Sequence, residues 1–152
     1  MDSDRLNRWL TLGANIAVLF GLLALVFEIR TNTAAIHAAS VQEITSGTRE
    51  ALLTVAADKE LSRIVRIGAV NRSALDEDEA YRFSLFSRQR WLFFQGVWTQ
   101  RRLGVLDDQV WGAYERVICE VLGDDAGDRE EWPKHVRILD PEFVSMVEAC
   151  SD

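Results

Sequence analysis

Few side chains in this sequence have the type and spacing that chemistry needs. His37 and His135 are isolated from each other and from the two cysteines, Cys119 and Cys150. There is no HExxH pair, no cysteine pair at zinc spacing and no glycine loop able to cradle phosphate, so no metal or nucleotide centre is expected. Ser84, Ser87 and Ser145 lack the glycine-flanked elbow that exposes a serine nucleophile. Asp76, Glu77, Asp78 and Glu79 crowd a helix start, where negative charge meets the positive end of the helix dipole without any need for catalysis. Arg88, Arg90, Arg101 and Arg102 share one helix and are expected to pair with the surplus of acids; a patch for an anionic ligand is the sharper alternative. His37 could sense pH or meet a lipid headgroup, but an ordinary exposed histidine accounts for it. No catalytic, cofactor-binding or metal-binding residue is assigned, no cofactor is expected, and the balance leans away from an enzyme.

A more pointed pattern lies near the amino terminus. From Leu10 to Phe27 there is no charged side chain, and Asn15 is the only strongly polar one. Apolar runs of roughly 18 residues or more read as membrane-spanning helices. At about 100° per residue, Gly13, Ala17, Gly21, Ala24 and Glu28 fall on one narrow face. Small residues at this spacing let two helix backbones approach closely in lipid, so the stripe is a candidate helix-association face. Asn15 lies on the opposite side, among Leu19, Leu22 and Val26, where an amide facing lipid would be costly. It is a candidate for a second interface or for the lining of a pore. A cleavable signal peptide is the chief rival, with Ala34-Ala35 or Ala38-Ala39 imitating a cleavage site. Such peptides have apolar cores of about 7–15 residues, and here the run is longer. An uncleaved anchor is therefore expected.

The 152 residues leave room for the span and one compact domain. With 48% hydrophobic and 27% charged residues the chain is not disordered. A net charge of −7 argues against nucleic-acid binding and against broad adhesion to anionic headgroups. Two cysteines do not make a disulfide framework, and Cys119, set in an apolar helix pattern, is expected to be a small core residue. A single disulfide is conceivable if the domain lies outside the cytoplasm, but free thiols are the expectation. Arg5 and Arg8 before the span, against Arg30 after it, lean towards an inward amino terminus; free cysteines would lean the other way.

The elements that carry these residues read as helices throughout. Residues 1–9 form a polar lead ending at Trp9, a candidate interfacial anchor. Residues 10–29 are the span and 30–57 its helical continuation, with Val41, Ile44, Thr48, Leu52 and Val55 marking an amphipathic stripe. Residues 58–152 make a helical bundle. Asp58 caps a short helix closed by Gly68, and Asp76 with Glu79 resembles a capping box for a helix to about Arg102. That helix carries Tyr81, Phe83, Phe86, Trp91, Phe93, Phe94 and Trp98, spread around most of its circumference, and is expected at the centre of a bundle or of an oligomer contact. Gly104 stops it, Asp107 caps the next helix, and Gly123 ends that one. Asp124 to Asp128 reads as an exposed acidic turn. Pro133 and Pro141 each suit a first helical turn. No sustained two-residue alternation occurs, so the expected fold is all-α: a long N-terminal transmembrane helix continuing into a compact bundle.

The chain also resembles an uncharacterised bacterial family of short proteins with one amino-terminal span and a small helical domain. The resemblance rests on Ala14-Asn15-Ile16, on Glu28 to Thr33, on Phe94 to Trp98 followed by Arg102 to Asp107 and Trp111, and on Leu139 to Phe143. It implies an inner-membrane, single-pass protein with the domain in the cytoplasm, and it brings no activity with it. The expected function is a membrane-anchored interaction or scaffold protein, in contact with lipid and assembling with itself or with a larger membrane complex. The alternative is a homo-oligomeric pore lined by the span.

Overall fold

The computed structural model describes residues 3–151. They form six α-helices, with no strand among them. The chain divides into two compact units that meet between Ala39 and Ser40.

The first unit is the leading part of α1 (Ser3–Ala57). Its run of Leu, Ile, Val, Ala and Phe has no breaker, and Gly13 and Gly21 cost it only about 1 kcal/mol each as helix formers. Thr11 and Thr31 return their hydroxyls to carbonyls four residues back, so these polar groups are satisfied within the helix. The helix is long and apolar enough to cross a membrane, and none of its apolar window is buried within the chain. Two residues of the polar lead, Met1 and Asp2, lie outside the described residues.

The second unit holds the tail of α1, then α2 (Lys59–Val70), a short 3-10 turn at Arg72–Ala74, α3 (Glu77–Arg102), α4 (Asp108–Asp124), α5 (Ala126–His135) and α6 (Pro141–Ser151). The starts are capped as the sequence requires. Asp58 accepts from the amides of Glu60 and Leu61, Asp76 and Glu79 form a full capping box, and Asp107 accepts from Val110. Asp140 accepts from Glu142 ahead of α6. Each such cap contributes about 1 kcal/mol. Gly104, at φ +70°, makes the turn that ends α3, a left-handed conformation that suits glycine.

The aromatic helix α3 is central. Trp91, Phe94 and Trp98 pack with Ile118 and Leu122 of α4, Trp132 of α5, and Phe143, Val144 and Val147 of α6. Phe83 closes a second cluster with Ile64 and Leu75. Ile44, from the tail of α1, joins Val97 and Leu106 in a third. Full burial of each large side chain contributes roughly 1.5–3 kcal/mol.

Several local expectations are corrected. Gly68 does not end α2, which continues to Val70. It is glycine because α2 is crossed there by Phe83 and by Gly127 of α5, leaving no space for a Cβ. Asp128 is not in an exposed turn but fully buried in α5, since Arg90, Ser87 and Trp91 supply donors to it. Pro133 sits near the end of α5 rather than in its first turn; the helix stops two residues later, so few ladder bonds are affected. Of the amphipathic stripe on the α1 tail only Ile44 is buried, and Leu52 is 66% exposed. Cys119 is not a free core thiol but is disulfide-bonded to Cys150, joining α4 to α6.

Candidate functional site

In the first unit, Gly13, Ala17, Gly21, Ala24 and Glu28 lie along α1 at helical spacing, exposed together with Asn15. A Cβ built at Gly13 or Gly21 would meet nothing within 4 Å, so both glycines leave an open strip of backbone. Around them Leu10, Leu12, Ile16, Leu19, Phe20, Leu22, Leu23 and Phe27 are all exposed. The described chain thus leaves the seam uncovered, and it brings no other sequence-nominated side chain to Asn15 or Glu28.

The second unit assembles a group that sequence reasoning missed. Ser87 of α3 and Asp128 and His135 of α5 are all buried, and Ser87 joins the other two. The Ser87 hydroxyl donates to Asp128 Oδ1 at 2.6 Å and lies 2.9 Å from His135 Nε2. A hydroxyl carries one proton. With that proton on Asp128, His135 Nε2–H must donate to Ser87, so the imidazole cannot also accept a proton from it. A serine nucleophile needs the opposite wiring, with histidine as base. Asp128 is held further by Trp91 Nε1–H at 3.1 Å and by Arg90. Burial lowers the His135 pKa from its ordinary value, against the raising influence of Glu131 and Asp128, which favours the neutral imidazole required here. The arrangement is a closed polar knot that fastens α3 to α5. Only proximity in the fold reveals it, because residues 87, 128 and 135 share no motif.

Beside the knot, Glu131 is fully buried. Its Oε1 takes Lys134 Nζ at 2.6 Å and lies 2.6 Å from Arg72 Nε. Burial pushes its carboxyl up, but hydrogen bonds from Lys134 and Ser84 and the charge of Arg72 outweigh that, and the pKa falls below the ordinary value. These residues floor an open cavity of ≈ 650 Å³ whose rim includes Asp76, Asp78 and Arg88. The mixed signs leave no concentrated anion patch. Arg90, Arg101 and Arg102 each meet a carboxylate: Asp128 and Asp125, Asp108, and Glu142 respectively. A more apolar cavity of ≈ 770 Å³ lies among the α1 tail, α2, α3 and α4.

What the fold and these sites define is a helical domain carried on a helix long and apolar enough to span a membrane. Compared with known proteins, the chain matches no family model, no curated protein and no solved structure.

Proposed function

We propose that this is a single-span membrane protein whose helical domain acts as an interaction module, assembling with further copies of itself through the span. The carrying observation is the glycine–alanine seam: backbone left open at Gly13 and Gly21 on a helix whose apolar side chains are uncovered. In lipid such strips favour helix pairing by close packing, not by the hydrophobic effect. Ala34 to Ala39 lie inside the continuous helix α1 rather than in extended chain, which supports retention of the span as an anchor.

The Cys119–Cys150 disulfide removes the free-cysteine argument for a cytoplasmic domain, because such bonds persist mainly in oxidising compartments. Together with Arg5 and Arg8 ahead of the span, it supports an inward amino terminus and an exported domain.

The experiment is mass measurement of the full chain in native lipid. A defined multimer is expected, converted to lower order by Gly13→Leu with Gly21→Leu, while Val18→Leu leaves it intact. A monomer, or a multimer indifferent to both glycine changes, would overturn the reading. Ion flux through a seam-dependent multimer, lost on Asn15→Leu, would move the assignment from scaffold to pore.

A further inference from the structure

Helix α5 is docked unlike its neighbours. Where α3, α4 and α6 bury mainly aromatic and aliphatic side chains, the side chains that α5 buries are Asp128, Glu131, Trp132 and His135. Three of them titrate. Trp132 alone is apolar, with its ring 4.6 Å from Trp91 and its Nε1–H given to Glu148 of α6 at 3.0 Å. Asp128 and Glu131 have no exposure, and a buried carboxylate keeps its charge only while cations and donors face it.

The elements on either side of α5 are closed without it. Helices α4 and α6 share the main apolar cluster, and Cys119–Cys150 ties one to the other. Helix α5 is therefore a strap that can leave α2 and α3 while both its ends stay held.

The charges around the strap come from several elements. Arg72, in the turn after α2, reaches Glu131 and Glu130. Arg90 of α3 reaches Asp128 and, at 3.6 Å, Asp125. Arg88 of α3 bears on His135 by its charge, and α5 sets its own Lys134 against Glu131. Arg129 turns away to the carbonyls that end α4, and α2 meets α5 through the Gly68 backbone. Acid strikes this set at two points. Burial pushes the Glu131 carboxyl up, but Lys134, Ser84 and Arg72 hold it below its ordinary value, so the stability it contributes is lost as pH falls through that lowered value. Burial lowers the His135 pKa, so the docked helix resists a proton that a freed one accepts. Asp125 is pushed up by burial and works the other way, but it only caps the strap at its rim.

We propose that α5 is an acid-released strap: protonation of Glu131 and His135 detaches it from α2 and α3 while α3, α4 and α6 stay folded, baring Ser87 and Trp91. The inference does not depend on the membrane reading.

The test is hydrogen exchange of the full chain in detergent, read by mass spectrometry as protection factors from pH 7 to pH 3. Amides of α5 should lose protection at least about a hundredfold at a pH where those of α3, α4 and α6 keep theirs. Glu131→Gln imitates the protonated carboxyl and should give a weakly protected α5 already at pH 7. Lys134→Gln removes one cation from Glu131 and should move the release to higher pH; His135→Gln should move it to lower pH. Lys134 is exposed, so its variant decides the matter even where Glu131→Gln disturbs the fold. Protection of α5 lost only together with that of α3 and α6, or a release that Lys134→Gln leaves in place, would overturn the proposal.

Discussion

Ser87, Asp128 and His135 carry the residue types of a hydrolytic triad, but their protons run the wrong way for one. The serine hydroxyl donates its hydrogen bond to the aspartate, which leaves the histidine Nε2–H to donate to the serine, and all three are shut from solvent. Such a group stabilises a crossing of helices, and its weak point is acid. Burial holds the folded His135 pKa below 6.5, the value for the unfolded chain. Below pH 6.5 the unfolded chain therefore binds more protons than the folded one, and linkage makes stability fall as pH drops towards the lowered folded pKa. Urea unfolding of the second unit within the full chain should show a lower midpoint at pH 5 than at pH 7. His135→Gln keeps an N–H donor without a titration and should flatten that difference; an unchanged acid slope would remove His135 as its source. At this scale the sequence was least legible. Asp58, Asp76 and Asp107 announce themselves as caps by their position before helical runs, whereas Asp128 sits among charged neighbours and looks solvated. Its burial depends on Arg90 and Trp91, some forty residues away, and no local pattern encodes that.

Helices, by contrast, were mostly readable, because α2, α3, α4 and α6 each start on a capping aspartate and the core faces repeat at helical spacing. The long α1, the capping box on α3 and the stop at Gly104 all follow from that chemistry. The crossings between helices did not follow from it. Gly68 and Gly127 read as a helix stop and a loop residue, yet α2 and α5 meet there with backbone against backbone. A Cβ on Gly127 would collide with the Gly68 carbonyl, which cannot swing aside as a side-chain tip can. Gly127→Ala should lower stability by at least about 1–3 kcal/mol. The readout is the urea midpoint, and a loss of only a few tenths would mean that the helices separate easily. The second crossing, α4 with α6, is fastened by Cys119–Cys150 across a sequence separation of 31. Closing a loop of that length contributes about 3–4 kcal/mol on the chain-entropy account. Cys150→Ser should therefore reduce the thermal midpoint markedly, and reductant should do the same to the wild type but nothing further to the variant.

For the molecule as a whole, on the proposed membrane reading, two independent features bear on which side of the membrane the second unit would occupy, and they agree. Arg5 and Arg8 precede the apolar run while Arg30 alone follows it closely, and basic residues are retained on the cytoplasmic side. The disulfide requires an oxidising surrounding to form and last. The acidic net charge does not oppose export, because acidic residues weigh little in orientation. If both features report one topology, they must change together. In a bacterial host, the wild-type cysteines should resist maleimide until a reductant is added. Arg5→Asn with Arg8→Asn, combined with Thr31→Lys and Thr33→Lys, reverses the basic bias without touching the apolar run or the bundle core. That variant should hold its second unit in the reducing cytoplasm, and both Cys119 and Cys150 should then react without reductant once the cells are opened and the protein unfolded. Reactive thiols already present in the wild type would place the second unit inside the cell and refute the exported orientation. Thiols still bonded in a variant shown by protease protection to have inverted would mean that the disulfide forms independently of compartment and carries no information on topology.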